Sequence, residues 1–258
     1  MQTPQSSYLG RHAELYDLFY GDKPYTEEAA FIHTCLQTFG NSVINVLELA
    51  CGTGTHSLAL EKYGYRIRAT DYSPDMLAQA QDKGKATHSS VEFRLQDMRT
   101  LVSPQHPWDA VICLFDSIGY VATNENILKV INGVRCQLNS GGLFIFEFWH
   151  AAAMLKSYDP LRVRRWQTPN GEIVRISETS IDHATQLCSV TYTIYELFDD
   201  GHFRMHKETQ VNRFFLVQEM THFLEVAQFF PLKWFAGFTP NEKIDETTWH
   251  IICVARAL

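Results

Sequence analysis

Between Val43 and Leu114 the chain alternates short apolar runs with segments whose apolar residues recur every three or four positions. Val43–Leu49 is such a run, and it ends at Cys51-Gly52-Thr53-Gly54. That pattern predicts a buried strand, a tight turn, and a helix closed by Gly64. Tyr65–Thr70, Val91–Leu95, Ala110–Leu114 and Leu143–Phe148 predict further strands. Ser73-Pro74 reads as an N-cap with proline at the first helical position, opening a helix through Ala80. Asn126–Leu138 predicts another helix, and Gly141-Gly142 a turn. Upstream, Phe31, Ile32, Cys35, Leu36 and Phe39 form one apolar stripe, on a helix capped by Thr26 and stopped by Gly40. Buried strands alternating with helices imply a parallel sheet covered on both faces.

The period changes after Phe148. From Arg162 to Phe215 the pattern is that of strands and turns, with Asn170-Gly171 and Asp199-Asp200-Gly201 as hairpin signals. Along Ser189–Glu196, Val190, Tyr192 and Ile194 alternate with Thr191, Thr193 and Tyr195. A small antiparallel sheet is expected here. A helix at Gln218–Val226 and strands at Leu232–Phe235 and Thr248–Ala255 then return the chain to the main sheet. The expected fold is α/β: a seven-stranded, mostly parallel sheet with an added small antiparallel sheet. The expected units are residues 1–150, 151–217 (the added antiparallel sheet, packed on the main domain) and 218–258, which closes the core.

Composition narrows the function. Lys and Arg number 22 against 29 Asp and Glu, a net charge of −7, which disfavours a nucleic-acid partner. No apolar run reaches the roughly 20 residues of a membrane span, and the N-terminus lacks a signal pattern, so a cytoplasmic protein is expected. No two of the six cysteines form a C-x-x-C pair. His202 and His206 stand four apart but on a predicted strand with no third ligand nearby, so no metal is expected. Arg162, Arg164 and Arg165 have two readings: a phosphate-binding cluster, or the charged face of an edge strand.

The chemistry concentrates at the first turn. Gly52 and Gly54 allow a ligand to approach the backbone at the carboxyl end of the first strand. Asp71 ends the second strand, where a carboxylate takes the two hydroxyls of a ribose. A dinucleotide fingerprint needs a third glycine where this chain has Ser57. Glu48 precedes the turn and would repel a pyrophosphate while attracting a cation. S-adenosylmethionine (SAM), with an ammonium and a sulfonium and no phosphate, suits that charge better than NAD or ATP.

Glu48-Leu-Ala50-Cys-Gly52-Thr-Gly54 resembles the first motif of the class I SAM-dependent methyltransferases, whose Rossmann-like fold matches the predicted one. Asp71 matches the ribose acid, Gln96-Asp97-Met98 the adenine-side motif, Cys113-Leu114-Phe115 the segment lining the cofactor, and Leu138-Asn-Ser-Gly-Gly142 the turn before the fifth strand. A closer resemblance, carried by Tyr8-Leu-Gly-Arg-His-Ala-Glu-Leu-Tyr-Asp17, Lys23-Pro-Tyr25, Ala50–His56 and Cys113–Gly119, is to the N,N-dimethyltransferases of nucleotide-linked amino sugars. By that resemblance Tyr8 sits beside the transferring methyl, and Tyr16 and Tyr25 close over the methionine end of SAM. It also places Ala50, His56, Tyr72, Met76, Met98 and Leu114 on the cofactor side, and gives the added sheet to dimerisation and to roofing the substrate. Two departures concern the acceptor. Tyr120 stands where the family has a histidine, and Pro240–Glu246 replaces a Gly/Arg-containing segment that meets the nucleotide.

Methyl transfer needs position more than acid–base power. Tyr8 and Tyr120 are the candidate catalytic pair, able to hold an amine by hydrogen bonds without a charge. Asp116, Glu147, Trp149 and His150 are candidates for the acceptor side. Each also has a purely structural reading, as an arm contact, a cap or a satisfied buried group. The expected activity is methylation of a small-molecule amine, with a hydroxyl or carbon acceptor, or a SAM-binding module without catalysis, as alternatives.

Overall fold

The computed structural model describes residues 8–258. An N-terminal arm carries α1 (Gly10–Glu14) and α2 (Tyr16–Phe19), followed by α3 (Tyr25–Phe39). The core then runs β1 (Asn45–Leu49), α4 (Thr55–Glu61), β2 (Arg66–Asp71), α5 (Pro74–Ala86), β3 (Glu92–Leu95), β4 (Trp108–Cys113), α6 (Asn124–Gln137) and β5 (Leu138–Trp149). After α7 (Ala151–Ser157) come β6 (Leu161–Thr168), β7 (Gly171–Asp182), β8 (Leu187–Phe198) and β9 (Phe203–Arg213). The chain ends with α8 (Val217–Val226), β10 (Phe229–Ala236) and β11 (His250–Ala257).

The main sheet has the order β10-β11-β5-β4-β1-β2-β3. Its pairs are parallel from β3 through β5, and β11 lies antiparallel to both of its neighbours. The expected α/β fold with seven strands is the one observed. The order reverses at β1, whose neighbours are β4 and β2. Ligands gather at such a switch point, outside the carboxyl ends of the strands.

Side-chain alternation along β5 builds both layers of the core. Phe144, Phe146 and Phe148 pack with α6 and α8 residues such as Ile127, Val130 and Leu224. Leu143 and Ile145 face the other layer, with Ile32, Leu36 and Leu60. The next position on that second face is Glu147, buried at 2% exposure. A carboxylate therefore interrupts an apolar row at the end of the strand that faces the switch point.

The four remaining strands form the expected antiparallel sheet, in the order β6-β7-β8-β9. The arm is clamped onto it. Leu15 and Phe19 pack against Ile173 and Ile194. Arg175, 5% exposed, lies 4.6 Å from the Phe19 ring, 5.1 Å from Trp166 and 5.2 Å from Tyr192. Aromatic faces thus surround a buried guanidinium whose Nε and Nη1 have no hydrogen-bond partner among the described residues.

Some local expectations needed correction. α3 starts at Tyr25 behind Pro24, not behind Thr26; the proline's restricted φ is already suited to a helix start. α5 continues to Ala86, beyond Ala80. Gly141-Gly142 does not precede the fifth strand but lies inside a longer β5, where pairing with β4 shifts register. Arg162, Arg164 and Arg165 pair with Asp159, Asp22 and Glu172 on edge strand β6, which favours the edge-strand reading. No helix among the described residues is long and apolar enough to cross a membrane.

Candidate active site

Two cavities meet at the carboxyl ends of β1 and β4. The first is lined from β1 and its turn by Glu48, Ala50, Cys51, Gly52 and Thr53, from α4 by Thr55 and His56, and from β2 onward by Asp71, Tyr72 and Met76. Met98, Leu114, Phe115, Ser117 and Tyr120 close one side, and Tyr8, Tyr16 and Tyr25 of the arm and α3 close another. Most of the residues expected at the cofactor are thus brought to one space. Gly54 and Asp97 are not among them. A side chain at Gly54 would meet the Phe93 ring at 2.6 Å, so this glycine serves packing behind the turn, in left-handed backbone at φ +75°. Asp97 is spent on Arg99, which donates to it from backbone and guanidinium.

Strain collects around this space. Tyr8, Ala50, Phe115 and Asp116 all have φ between +52° and +61° without being glycine. Such backbone costs on the order of 1–3 kcal/mol per residue and persists where the surroundings over-determine it.

The carboxylates are fixed by the backbone. Asp71 Oδ2 accepts from Gly52 N at 2.8 Å, and Oδ1 accepts from Ser73 N at 2.8 Å. One side chain therefore ties the turn after β1 to the start of α5. Burial raises its pKa, and those amides oppose the shift. Glu48 is also raised by burial, against the pull of His56 and of a hydrogen bond from Ser57 Oγ. His56 Nε2 lies 2.7 Å from Glu28 Oε2, and Tyr25 packs edge-on against its ring. The arm is held over the turn by Thr53 Oγ1, which donates to Asp17 Oδ1 at 2.7 Å, and by Lys83, 2.9 Å from Asp17 Oδ2. Among the described residues no lysine or arginine lines this cavity, while two buried acids do. That donor set fits a cationic, phosphate-free adenosyl ligand such as SAM, and does not fit a pyrophosphate.

At the inner end, Tyr8 Oη and Tyr120 Oη stand 2.5 Å apart, with Gln210 accepting from Tyr120. Burial drives both phenols above their ordinary pKa. A shift in that direction favours the neutral phenol at pH 7, which can both donate and accept a hydrogen bond.

The second cavity adjoins the first through Phe115, whose backbone N–H donates to Glu147 Oε2 at 2.6 Å. Here Glu147 meets His250, which no sequence pattern marked. His250 Nδ1 is 3.0 Å from Asp116 Oδ2 and 3.1 Å from Glu147 Oε1. Burial works against the imidazole's charge, but the two carboxylates prevail and raise its pKa to about 11. Burial lifts Asp116 to about 6, and the bond to His250 holds Glu147 low. The ligand atoms of these three residues lie within 4.8 Å of one another, a spacing open to a cation. The His250 ring nitrogen itself stands between the two acids, and the raised pKa favours its protonated form.

Trp149 and His150 lie apart from both cavities. Trp149 packs beside Met154 and Phe214, and buried His150 contacts Thr248 O through Nδ1. Trp249 and His250, on the neighbouring segment, line the second cavity in their place. His202 pairs with Asp200 and His206 with Glu196.

A pH dependence follows. Between the ordinary histidine value of 6.5 and about 11, the folded chain holds a proton on His250 that the unfolded chain has released. The stability from this cluster is whole below 6.5 and is lost as pH rises toward 11. Comparing urea midpoints at pH 7 and pH 10, wild type should lose more stability than His250→Gln. Equal losses would remove the imidazolium.

Residues 46–142 match a family model described as a methyltransferase domain. The chain is 26% identical over 235 residues, covering 89% of itself and 90% of the relative, to the Bacillus subtilis protein YqeM, whose name assigns it provisionally to the methyltransferases. It is 31% identical over 141 residues, 54% of this chain and 57% of the relative, to the dTDP-3-amino-3,4,6-trideoxy-alpha-D-glucopyranose N,N-dimethyltransferase of Streptomyces venezuelae. Among solved structures, an S-adenosylmethionine-dependent methyltransferase from Clostridium acetobutylicum superposes with a TM-score of 0.81 at 21% identity, over 95% of this chain and 97% of its own.

Proposed function

We propose that this chain, a SAM-dependent methyltransferase, delivers its methyl group to the amine of a small-molecule acceptor, a sugar or a similar metabolite. The observation that carries the choice of an amine is the Tyr8–Tyr120 hydroxyl pair at the inner end of the first cavity. Two neutral phenols can orient a nitrogen and accept from its N–H. Neither is fitted to deprotonate an alcohol, because burial has moved both pKa values upward. The Streptomyces venezuelae relative is named for N,N-dimethylation of an amino sugar, which agrees with this reading.

SAM brings an already activated methyl on a sulfonium. The chain's part is to bind and align. Asp71 and the turn at Gly52 hold the adenosyl end, and Glu48 with His56 face the charged end. Tyr16 and Tyr25 cover it, and Tyr8 and Tyr120 set the acceptor nitrogen in line. The nitrogen lone pair forms the N–C bond as the C–S bond breaks. SAM, when bound, would thus supply the methyl and take the electron pair of the broken bond as S-adenosylhomocysteine, and the new ammonium would release its proton to solvent. Alignment of this kind contributes up to about 7–11 kcal/mol.

Isothermal titration with SAM, then S-adenosylhomocysteine release over an amine panel, tests the proposal. Binding with turnover on amines supports it. Binding without turnover on any acceptor would make the chain a SAM-binding module. Tyr8→Phe removes one hydroxyl bond, worth about 1 kcal/mol. It should lower kcat some five- to tenfold and leave SAM affinity within about twofold. An unchanged kcat would leave Tyr8 as an arm contact only.

A further inference from the structure

The second cavity, about 540 Å³, adjoins the first at Phe115, and its charges bear on what an acceptor entering from that side carries. Four carboxylates line it: Glu28, Glu147, Glu242 and Asp245. Two lysines and His250 oppose them, and no arginine does. Most of that positive charge is already engaged. Lys23 is ion-paired with Glu28 and lies over the Phe115 ring at 4.7 Å. His250 is held between Asp116 and Glu147, which leaves Asp116 as a further acid directly behind the wall. Only Lys243, on the exposed rim, has no partner among the described residues. The chain's arginine cluster, Arg162, Arg164 and Arg165, is on edge strand β6 with each member paired.

A nucleoside diphosphate brings two or more negative charges and calls for several converging donors, arginine forks above all. Here it would meet a surplus of acid and one free ammonium. A free amine meets the opposite condition: its protonated form is drawn in by the acids before it sheds its proton.

We propose that the cleft takes a phosphate-free amine, so that the acceptor is methylated as a free small molecule and not on a nucleoside diphosphate carrier. This rests on the methyltransferase reading above.

Titration calorimetry with S-adenosylhomocysteine bound, using dTDP and UDP as probes, gives a direct test. No heat is expected up to millimolar concentration. A second arm compares one amino sugar as its methyl glycoside and as its dTDP conjugate. The free form should be turned over with at least tenfold higher kcat/KM. Micromolar dTDP binding, or a higher kcat/KM for the conjugate, overturns the proposal. The rim variant Glu242→Lys/Asp245→Asn changes exposed positions and adds three units of positive charge. It should gain measurable dTDP affinity; a variant that stays blank would show that charge is not what excludes the diphosphate. The preliminary S-adenosylhomocysteine titration separates the premises, since failure there defeats the methyltransferase reading and not the charge argument.

Discussion

Gly119→Ala is expected to destabilise the protein by about 3 kcal/mol, at the upper end of overpacking costs. A Cβ at this position would lie 1.9 Å from Asn212 Oδ1, 2.8 Å from Asn212 Cγ and 2.5 Å from Arg213 O. One of these atoms is backbone, so a change of rotamer does not relieve the clash. The reason for glycine here is space, since Gly119 is not among the residues with positive φ. The contact is the seam along which β9 docks on the main domain. Asn212 Nδ2 donates to Asp116 O at 3.1 Å, and Arg213 Nη1 donates to Ala122 O at 3.1 Å. Opening the seam would shift Asp116 and Tyr120 together, so turnover should fall more than SAM binding. For a chain of this size a loss of that magnitude lowers Tm by roughly 6–12 °C. A Tm within 2 °C of wild type would mean that β9 does not press on this turn.

Asp71→Asn is expected to raise the Kd for SAM about 10- to 100-fold. The carboxylate has an amide donor on each oxygen, from Gly52 and Ser73. An asparagine satisfies one of them and turns its own NH2 toward the other. Hydrogen bonds to a charged group contribute about 1.5–3 kcal/mol each. The variant loses one such bond at the turn, together with the charge that would hold the ribose hydroxyls. Asp97→Asn is the contrast, because Asp97 is bonded to Arg99 and lines neither cavity. Its SAM affinity should stay within about threefold. Calorimetry on both variants separates the roles of the two acids, and equal losses would refute the geometry given for Asp71.

What the sequence disclosed follows the range of the interactions. Val46, Leu47 and Leu49 are buried on β1 because an apolar run between polar turns has few other places to go. Two of the three hairpins of the small sheet formed where Asn170-Gly171 and Asp199-Asp200-Gly201 supplied turn chemistry, and the third closes between Asp182 and Leu187. The place of Asp71 beside the first turn was legible because it depends on a fixed distance along one strand–helix–strand unit. His250 was not. Its partner Asp116 is 134 positions away, and the meeting depends on β11 inserting beside β5, which periodicity does not specify. The same gap explains Trp149 and His150: the tip of β5 was located, but the residues that line the cleft come from the segment returning next to it. Gly54 shows a different gap. A glycine's spacing does not reveal which wall its missing side chain would strike, and here that wall is Phe93.

The position of β11 also governs when this protein can begin to work. The strand that brings His250 to the acids is inserted between β5 and β10, yet it follows both of them in chain order. A nascent chain can close the parallel half of the sheet early. It cannot seat the imidazolium until residues up to about the end of β11 have left the ribosome. Until then Asp116 and Glu147 lack their direct ion-pair partner, and the more distant charge of Lys23 is left to oppose them.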